Sequence, residues 1–367
     1  MRTRLVSLSL LLLLTLAVAA SAQDRVLLRY KFTAGETHSY DLNVAGGGKL
    51  VVGTAGGDMN VPMQMTIAGG VELLTREVDP NGDGHLGVKI GELTITQTMA
   101  EHTTKMTMDL NTGVVTMDGK PVAAPPPGGP NAGGPAPAAP GATPGEALGK
   151  LTLVMSPQGA IVGVQGLEEF LAAMQKIGPG GAMNPMMKMM PSLEDMAKSP
   201  QFPADPVRVG DTWTQEWKLP LPGQSAPLPL TYKYTLEKLG SVEGRRIACL
   251  GLAGEWEMKD LSMGTPVAGQ PAPPKVDRLT QKLEGQLYFD MAGGFVDSAH
   301  FELTMNMDMT VPVPAPPPPP PAAEGNPPNA GGAAPEAAPT GVKVSLQDLK
   351  LNYDLYPHGG ESLAGKL

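Results

Sequence analysis

Cysteine is almost missing from this 367-residue chain: Cys249 stands alone, so no disulfide can form within it. Aromatic residues are 4% and charged residues 17% of the sequence, both thin for a soluble enzyme. Basic clusters are missing too. Nothing larger than the Arg245-Arg246 pair occurs and the formal net charge is −9, which argues against nucleic acid as a partner. The chain has one long apolar run, at its N-terminus, which excludes a polytopic helical membrane protein. No Gly-x-Ser-x-Gly elbow, phosphate loop or dinucleotide fingerprint appears, so no motif announces an enzyme.

What is present begins with an export leader. Arg2 and Arg4 precede an apolar stretch over residues 5–19, and Ala20-Ser21-Ala22 supplies a small-x-small cleavage pattern. Cleavage would start the mature chain at Gln23 and leave 25 basic against 36 acidic residues, a net charge of −11. The expected location is therefore periplasmic or extracellular, with no transmembrane segment after cleavage. Cys249 lies in Arg246-Ile247-Ala248-Cys249-Leu250, which reads as a strand interior and a buried, inert thiol. Stability must then come from core burial without covalent staples.

Glycine and proline are abundant, 46 and 39 residues, and they concentrate in tracts at 123–149, 264–274 and 313–341. The last contains an unbroken proline run at 316–321, which favours extended polyproline II. Such tracts bury too little apolar surface to offset the entropy of ordering them, and no secondary structure is assigned to them. Elsewhere the dominant period is two, the signature of half-buried strands. Val26, Leu28, Tyr30 and Phe32 share one face of the opening run, as do Tyr232, Tyr234 and Leu236 later, and Phe301, Leu303, Met305, Met307 and Met309. Turn residues separate the runs, as in Asp79-Pro80-Asn81-Gly82-Asp83-Gly84 and Ala292-Gly293-Gly294. Helical spacing fits one region only: Leu167, Phe170, Leu171 and Met174, with Ser192 capping a second short helix ending near Lys198.

A faint internal repeat organises the strands. Gly35-Glu36-Thr37 recurs as Gly210-Asp211-Thr212, and the turn beginning at Asp109 recurs at Asp290, at nearly equal offsets. Both following tracts contain Pro-Asn-Ala-Gly-Gly, at 130–134 and 328–332. The expected fold is mostly β: two similar antiparallel β-rich halves, a short helical segment between them, and disordered Pro/Gly-rich insertions. The division runs 1–22 leader, 23–122 first half, 123–149 linker, 150–200 strand and short helices, 201–312 second half with a flexible loop at 264–274, 313–341 linker, and 342–367 final strand and tail.

The chemistry-bearing residues each have an ordinary reading. Asp79, Asn81, Asp83 and Gly84 match the opening of a calcium loop, but Ile90 stands where the bidentate Glu belongs, and a hairpin turn explains them equally. The methionines, 22 in all, include the alternating pairs Met63/Met65 and Met106/Met108, the trio Met305/Met307/Met309, and a cluster from Met183 to Met190. Thioethers select Cu(I), but they also fill irregular cores and apolar grooves, and no His or Cys accompanies these runs. The five histidines, at 38, 85, 102, 300 and 358, show no metal-ligand spacing, and one Cys cannot make a thiolate zinc site. Glu168/Glu169, Glu194/Asp195 and Glu255/Glu257 read as solvated charges. No catalytic, cofactor or metal residues are expected.

The stretch Pro203-Ala204-Asp205-Pro206-Val207-Arg208-Val209-Gly210-Asp211-Thr212-Trp213 resembles a recurring signature of uncharacterised secreted bacterial β-rich proteins, in which a Gly-Glu-Thr motif follows the first strand as Gly35-Glu36-Thr37 does here. That resemblance implies no reaction and brings no catalytic residues. More distantly, the β-rich reading bears a fold-level resemblance to periplasmic half-barrel carriers of lipids or lipoproteins, a curved antiparallel sheet with helices against it, from whose compactness the long insertions depart. The expected function is an exported, non-catalytic structural or interaction role in the cell envelope, with an unknown envelope protein as partner. The alternative is a periplasmic carrier holding an apolar ligand, a lipid or lipoprotein, on a Met-rich face.

Overall fold

The computed structural model describes residues 25–54, 56–109, 111–112, 114–121, 144–169, 201–219, 228–262, 274–312, 341–363 and 366. Its strands are β1 (Thr37–Thr54), β2 (Gly57–Val78), β3 (Gly84–Met99), β4 (His102–Asp109), β5 (Val114–Met117), β6 (Lys120–Pro121), β7 (Thr152–Met155) and β8 (Ile161–Gln165). They continue as β9 (Thr212–Leu219), β10 (Leu228–Val242), β11 (Arg245–Ser262), β12 (Lys275–Asp290), β13 (Phe295–Pro312) and β14 (Gly341–Pro357). One helix, α1 (Pro144–Lys150), is described in full. All of it but Lys150 falls inside the stretch expected to be an unstructured linker. Ala147 is fully buried there, and the Arg76 guanidinium holds the Gly149 carbonyl, so tertiary contact orders a sequence of low local propensity.

All the strands form one antiparallel sheet in the order β6-β5-β4-β3-β2-β1-β14-β13-β12-β11-β10-β9, with β7 paired to β3 and β8 to β7. The mostly-β, antiparallel expectation holds. The two halves merge into one sheet because the first and last strands pair, Val44 facing Tyr353 and Leu50 facing Leu346. That seam demands a residue without a side chain at Gly46, where a Cβ would lie 1.8 Å from the Lys350 carbonyl oxygen. The register slips one residue just beyond, between Gly47 and Lys49, a bulge that bends the sheet.

The repeat seen in the sequence has matching hydrogen bonds. Gly35 N–H donates to Thr75 O while Thr75 N–H donates to Glu36 O; likewise Gly210 donates to Leu236 O and Leu236 to Asp211 O. Gly35 and Gly210 both need positive φ, +85° and +92°, which glycine adopts without penalty. The turns after β4 and β12 also match: Asp109 Oδ1 accepts from Asn111 N–H at 2.8 Å, and Asp290 Oδ1 from Ala292 N–H at 2.8 Å.

The opening run departs from expectation. Val26, Leu28 and Tyr30 alternate as a strand would and are buried, but they join the sheet nowhere. Val26 makes a single bridge to Val207, and Tyr30 and Lys31 donate to the carbonyls of Pro157 and Gly294. The segment instead crosses one end of the sheet. Phe32 lies against Gly84 at the start of β3 and 5.7 Å from the ring of Phe295 at the start of β13. Four strand spacings of about 4.8 Å would hold β3 and β13 roughly 19 Å apart if the sheet were flat. The sheet therefore curls around this segment, with the face carrying Phe295 inside the curve.

The chain becomes helical at Leu167, Glu168 and Glu169. The rest of both expected helices, with Phe170, Leu171, Met174 and Ser192, lies outside the described residues. So do the leader and most of the three Pro/Gly tracts.

Candidate functional site

Alternation along the strands, broken locally by bulges such as those at Gly47/Lys49 and Met305/Met307, gives the sheet two unlike faces. Facing residues in an antiparallel pair point to the same side, so one row can be followed from strand to strand. Ile95, Ile67, Val44, Tyr353 and Phe301 make such a row over β3, β2, β1, β14 and β13. The next row toward the far end carries Met65, Gly46, Leu351, Leu303, Leu283 and Gly254. Over β1 from Leu42 to Val52, and over the facing stretches of β2, β3, β12, β13 and β14, no described side chain on this inner face is Asp, Glu, Lys or Arg. The outer face holds the charges, with Lys89 paired to Glu72 at 3.0 Å, Arg278 to Glu257 at 2.7 Å and Lys282 to Glu284 at 2.9 Å.

One end of the inner face is closed. Val26, Leu28, Tyr30, Phe202 and Val207 pack onto Leu236, Ala248, Leu250, Leu287, Phe289 and Phe295. Phe202 meets Phe289 edge-on at 4.8 Å and stacks with Tyr30 at 5.2 Å, the geometries that aromatic quadrupoles favour. Tyr30 donates its hydroxyl proton to Gln201 Oε1 at 2.6 Å, and burial drives its pKa far above the usual phenol value. His38 lies flat on Phe295 with ring centres 3.6 Å apart. Burial holds its imidazole below the ordinary pKa, opposed in part by Glu36.

Toward the other end the inner face is rich in methionine. Met63, Met65, Met305 and Met307 pack around Val44, Leu346, Leu349 and Leu351, so two sequence groups 240 residues apart meet on one surface. Met106 faces Met117 across β4 and β5, continuing it. A polar relay crosses this surface: Trp256 Nε1–H donates to Gln281 Oε1 at 2.6 Å, and Gln281 Nε2–H donates to the Met305 sulfur at 3.1 Å. Gln281 thereby spends its carbonyl oxygen and one N–H on protein partners rather than on water.

The remaining candidates find ordinary places. Asp79 spends Oδ1 on the N–H groups of Asn81 and Asp83, so the calcium-like motif is a hairpin turn between β2 and β3. Cys249 is 4% exposed within β11, and burial first, then Glu237, pushes its thiol up to about 11. His300 and His358 pair with Asp354 and Asp41 at 2.7 and 2.8 Å. Glu257 is held by Arg278 and Lys259, while Glu194, Asp195 and the cluster from Met183 to Met190 lie outside the described residues. Among the described residues no three His, Cys, Asp or Glu side chains converge as a metal site would, and no helix is long and apolar enough to cross a membrane.

Sequence reasoning missed one placement. The turn joining β3 to β4 brings His102 opposite Met99, which itself faces Met63 on β2. The Met99-Ala100-Glu101-His102 spacing of a two-residue hairpin was the available signal. Two clefts also open on the charged side, one of about 250 Å³ lined by Glu72, Arg76 and Lys89, the other of about 260 Å³ lined by Lys233, Glu255, Lys282 and Glu284. In the first, Arg76 is already engaged by Thr152 Oγ1 at 2.9 Å and Lys89 by Glu72.

No known protein family matches this chain and no curated protein resembles it in sequence. A solved structure described as lipid–protein interactions in lipovitellin is similar at a TM-score of 0.33 and 7% identity, over 89% of this chain and 25% of that one. The chain thus spans about a quarter of the length of that protein.

Proposed function

We propose that this protein is an exported, non-catalytic carrier that holds an apolar, acyl-bearing molecule on the inner face of its curved sheet. The leader at residues 1–22 supports export. The observation that carries the reading is the inner face itself, free of charge over the central strands and lined by half-buried methionines beyond the aromatic closure. Its methionines are half-buried over a buried aliphatic floor; apolar side chains left partly open favour an occupant, and thioether side chains adapt to chains of varied shape. The outer face, with its paired charges, keeps the holder dispersed in water.

Native mass spectra of the protein purified gently from its own envelope or medium test this. A bound mass that leaves on denaturation supports the carrier, and its value identifies the class of lipid. Trp213 and Trp256 sit on the inner side of β9 and β11, so fatty acids brominated along the chain should quench their fluorescence. Leu303→Asp, which places a charge on that face, should abolish the quenching while the circular dichroism stays that of a β-sheet. A clean apo mass together with unquenched tryptophans would sink the carrier and leave a structural or interaction role.

A further inference from the structure

We propose that Met63, Met99 and His102 form a binding site for a monovalent soft cation, Cu(I), at the far end of the inner face. The three residues stand in one row on adjacent strands: Met63 of β2 faces Met99 of β3, and Met99 faces His102 of β4. Facing residues share a side of the sheet, so two thioethers and one imidazole project together. With Met99 in the middle, each flanking donor is one strand spacing of about 4.8 Å away, within reach of one ion held above the Met99 sulfur.

The row is fixed by the backbone. Ala100 takes positive φ, 52°, in the two-residue turn, and its N–H donates to Pro62 O at 2.9 Å, which ties the β3–β4 hairpin to β2 beside Met63. The site is open to solvent on one side, because Met99 is 36% exposed and His102 is exposed, while Met63 is half-buried against the cluster around Val44. Both donor types are soft or borderline and electrically neutral. Thioether sulfur selects soft Cu(I) over hard magnesium and calcium. A ligand set without a carboxylate or thiolate, beside the uncharged row of Met65, Gln97 and Thr104, also leaves a divalent ion uncompensated, which costs more than leaving a monovalent one.

The other methionine groups lack this composition. Met305 already accepts a hydrogen bond from Gln281, and the residues facing it and Met307 are Leu349, Gln281, Leu346 and Leu279. Met106 faces Met117 and Ile95. An imidazole joins the thioethers only in the row of Met63, among the described residues.

The test is anaerobic competition of the purified, lipid-free protein for Cu(I) against bicinchoninate, with copper X-ray absorption on the loaded sample. One Cu(I) per chain is expected, with scattering from two sulfurs and one nitrogen. Met63→Leu, Met99→Leu and His102→Gln should each weaken retention by at least about tenfold, while Met305→Leu retains it as wild type does. A β-sheet circular dichroism spectrum and a urea midpoint unchanged in His102→Gln would show that the variant is folded. Failure of the wild type to hold Cu(I) against the chelator would overturn the proposal. So would retention by all three variants, or absorption spectra showing sulfur alone.

Discussion

The two ends of the inner face solve the same problem with different residues. Five of the six phenylalanines, at 32, 202, 289, 295 and 301, belong to the closed end, where rigid rings fill a fixed volume. The far end is built from Met63, Met65, Met305 and Met307 on an aliphatic floor. An aromatic ring has few rotamers and specifies one packing, whereas a methionine with three rotatable bonds accommodates several. The chain thus places its shape-fixing residues at the closed end and its adaptable ones at the far end.

Substitutions at the two ends should separate these roles. Phe289→Ala removes a fully buried ring and should cost about 3–5 kcal/mol, seen as a large fall in the urea midpoint. Met307→Leu at the far end should stay within about 1.5 kcal/mol; an equal loss at both ends would erase the distinction. Between the ends, Gly46→Val forces a side chain into the Lys350 carbonyl and should destabilise by about 1–3 kcal/mol. Hydrogen exchange would then show opening first at the β1–β14 seam. Tyr30→Phe keeps the ring stack and deletes the bond to Gln201, at about 1 kcal/mol.

The smallest effect is a pH dependence of opposite sign at two histidines. His38 at the closed end has its folded pKa lowered by burial, so the unfolded chain binds protons first. Its stabilising neutrality is therefore lost as pH falls below the unfolded value of about 6.5. His358 has its folded pKa raised, chiefly by its hydrogen bond to Asp41, so its contribution is present below about 6.5 and fades as pH rises through the folded value. Urea midpoints between pH 8 and 5 should fall on the acid side in the wild type and flatten there in His38→Gln. A steeper acid-side fall in that variant would contradict the assignment.

Much of this fold is legible in the residues. Period two marks the strands, and the residues sharing a face, such as Met305, Met307 and Met309, can be named without coordinates. The acid-Asn/Ala turn motifs at Asp109 and Asp290 reveal the repeat because their carboxylates bond N–H groups only two and three residues on. Local interactions are written locally.

Alternation says which residues share a face, but it is silent about which strand lies beside which and about what covers the face. Val26, Leu28 and Tyr30 carry the pattern of a strand, yet they close the sheet's end, because Val207 and Pro157 offer Val26 and Tyr30 backbone partners outside it, as Gly294 does for Lys31. The pairing of β1 with β14 rests on Gly46 tolerating a close carbonyl across some 300 residues of intervening chain. The row of Met63, Met99 and His102 exists only once the register of three strands is set. The sequence by itself determined a two-faced β-chain; long-range pairing, governed by backbone fit and by burial, decided where that face closes and which side chains meet upon it.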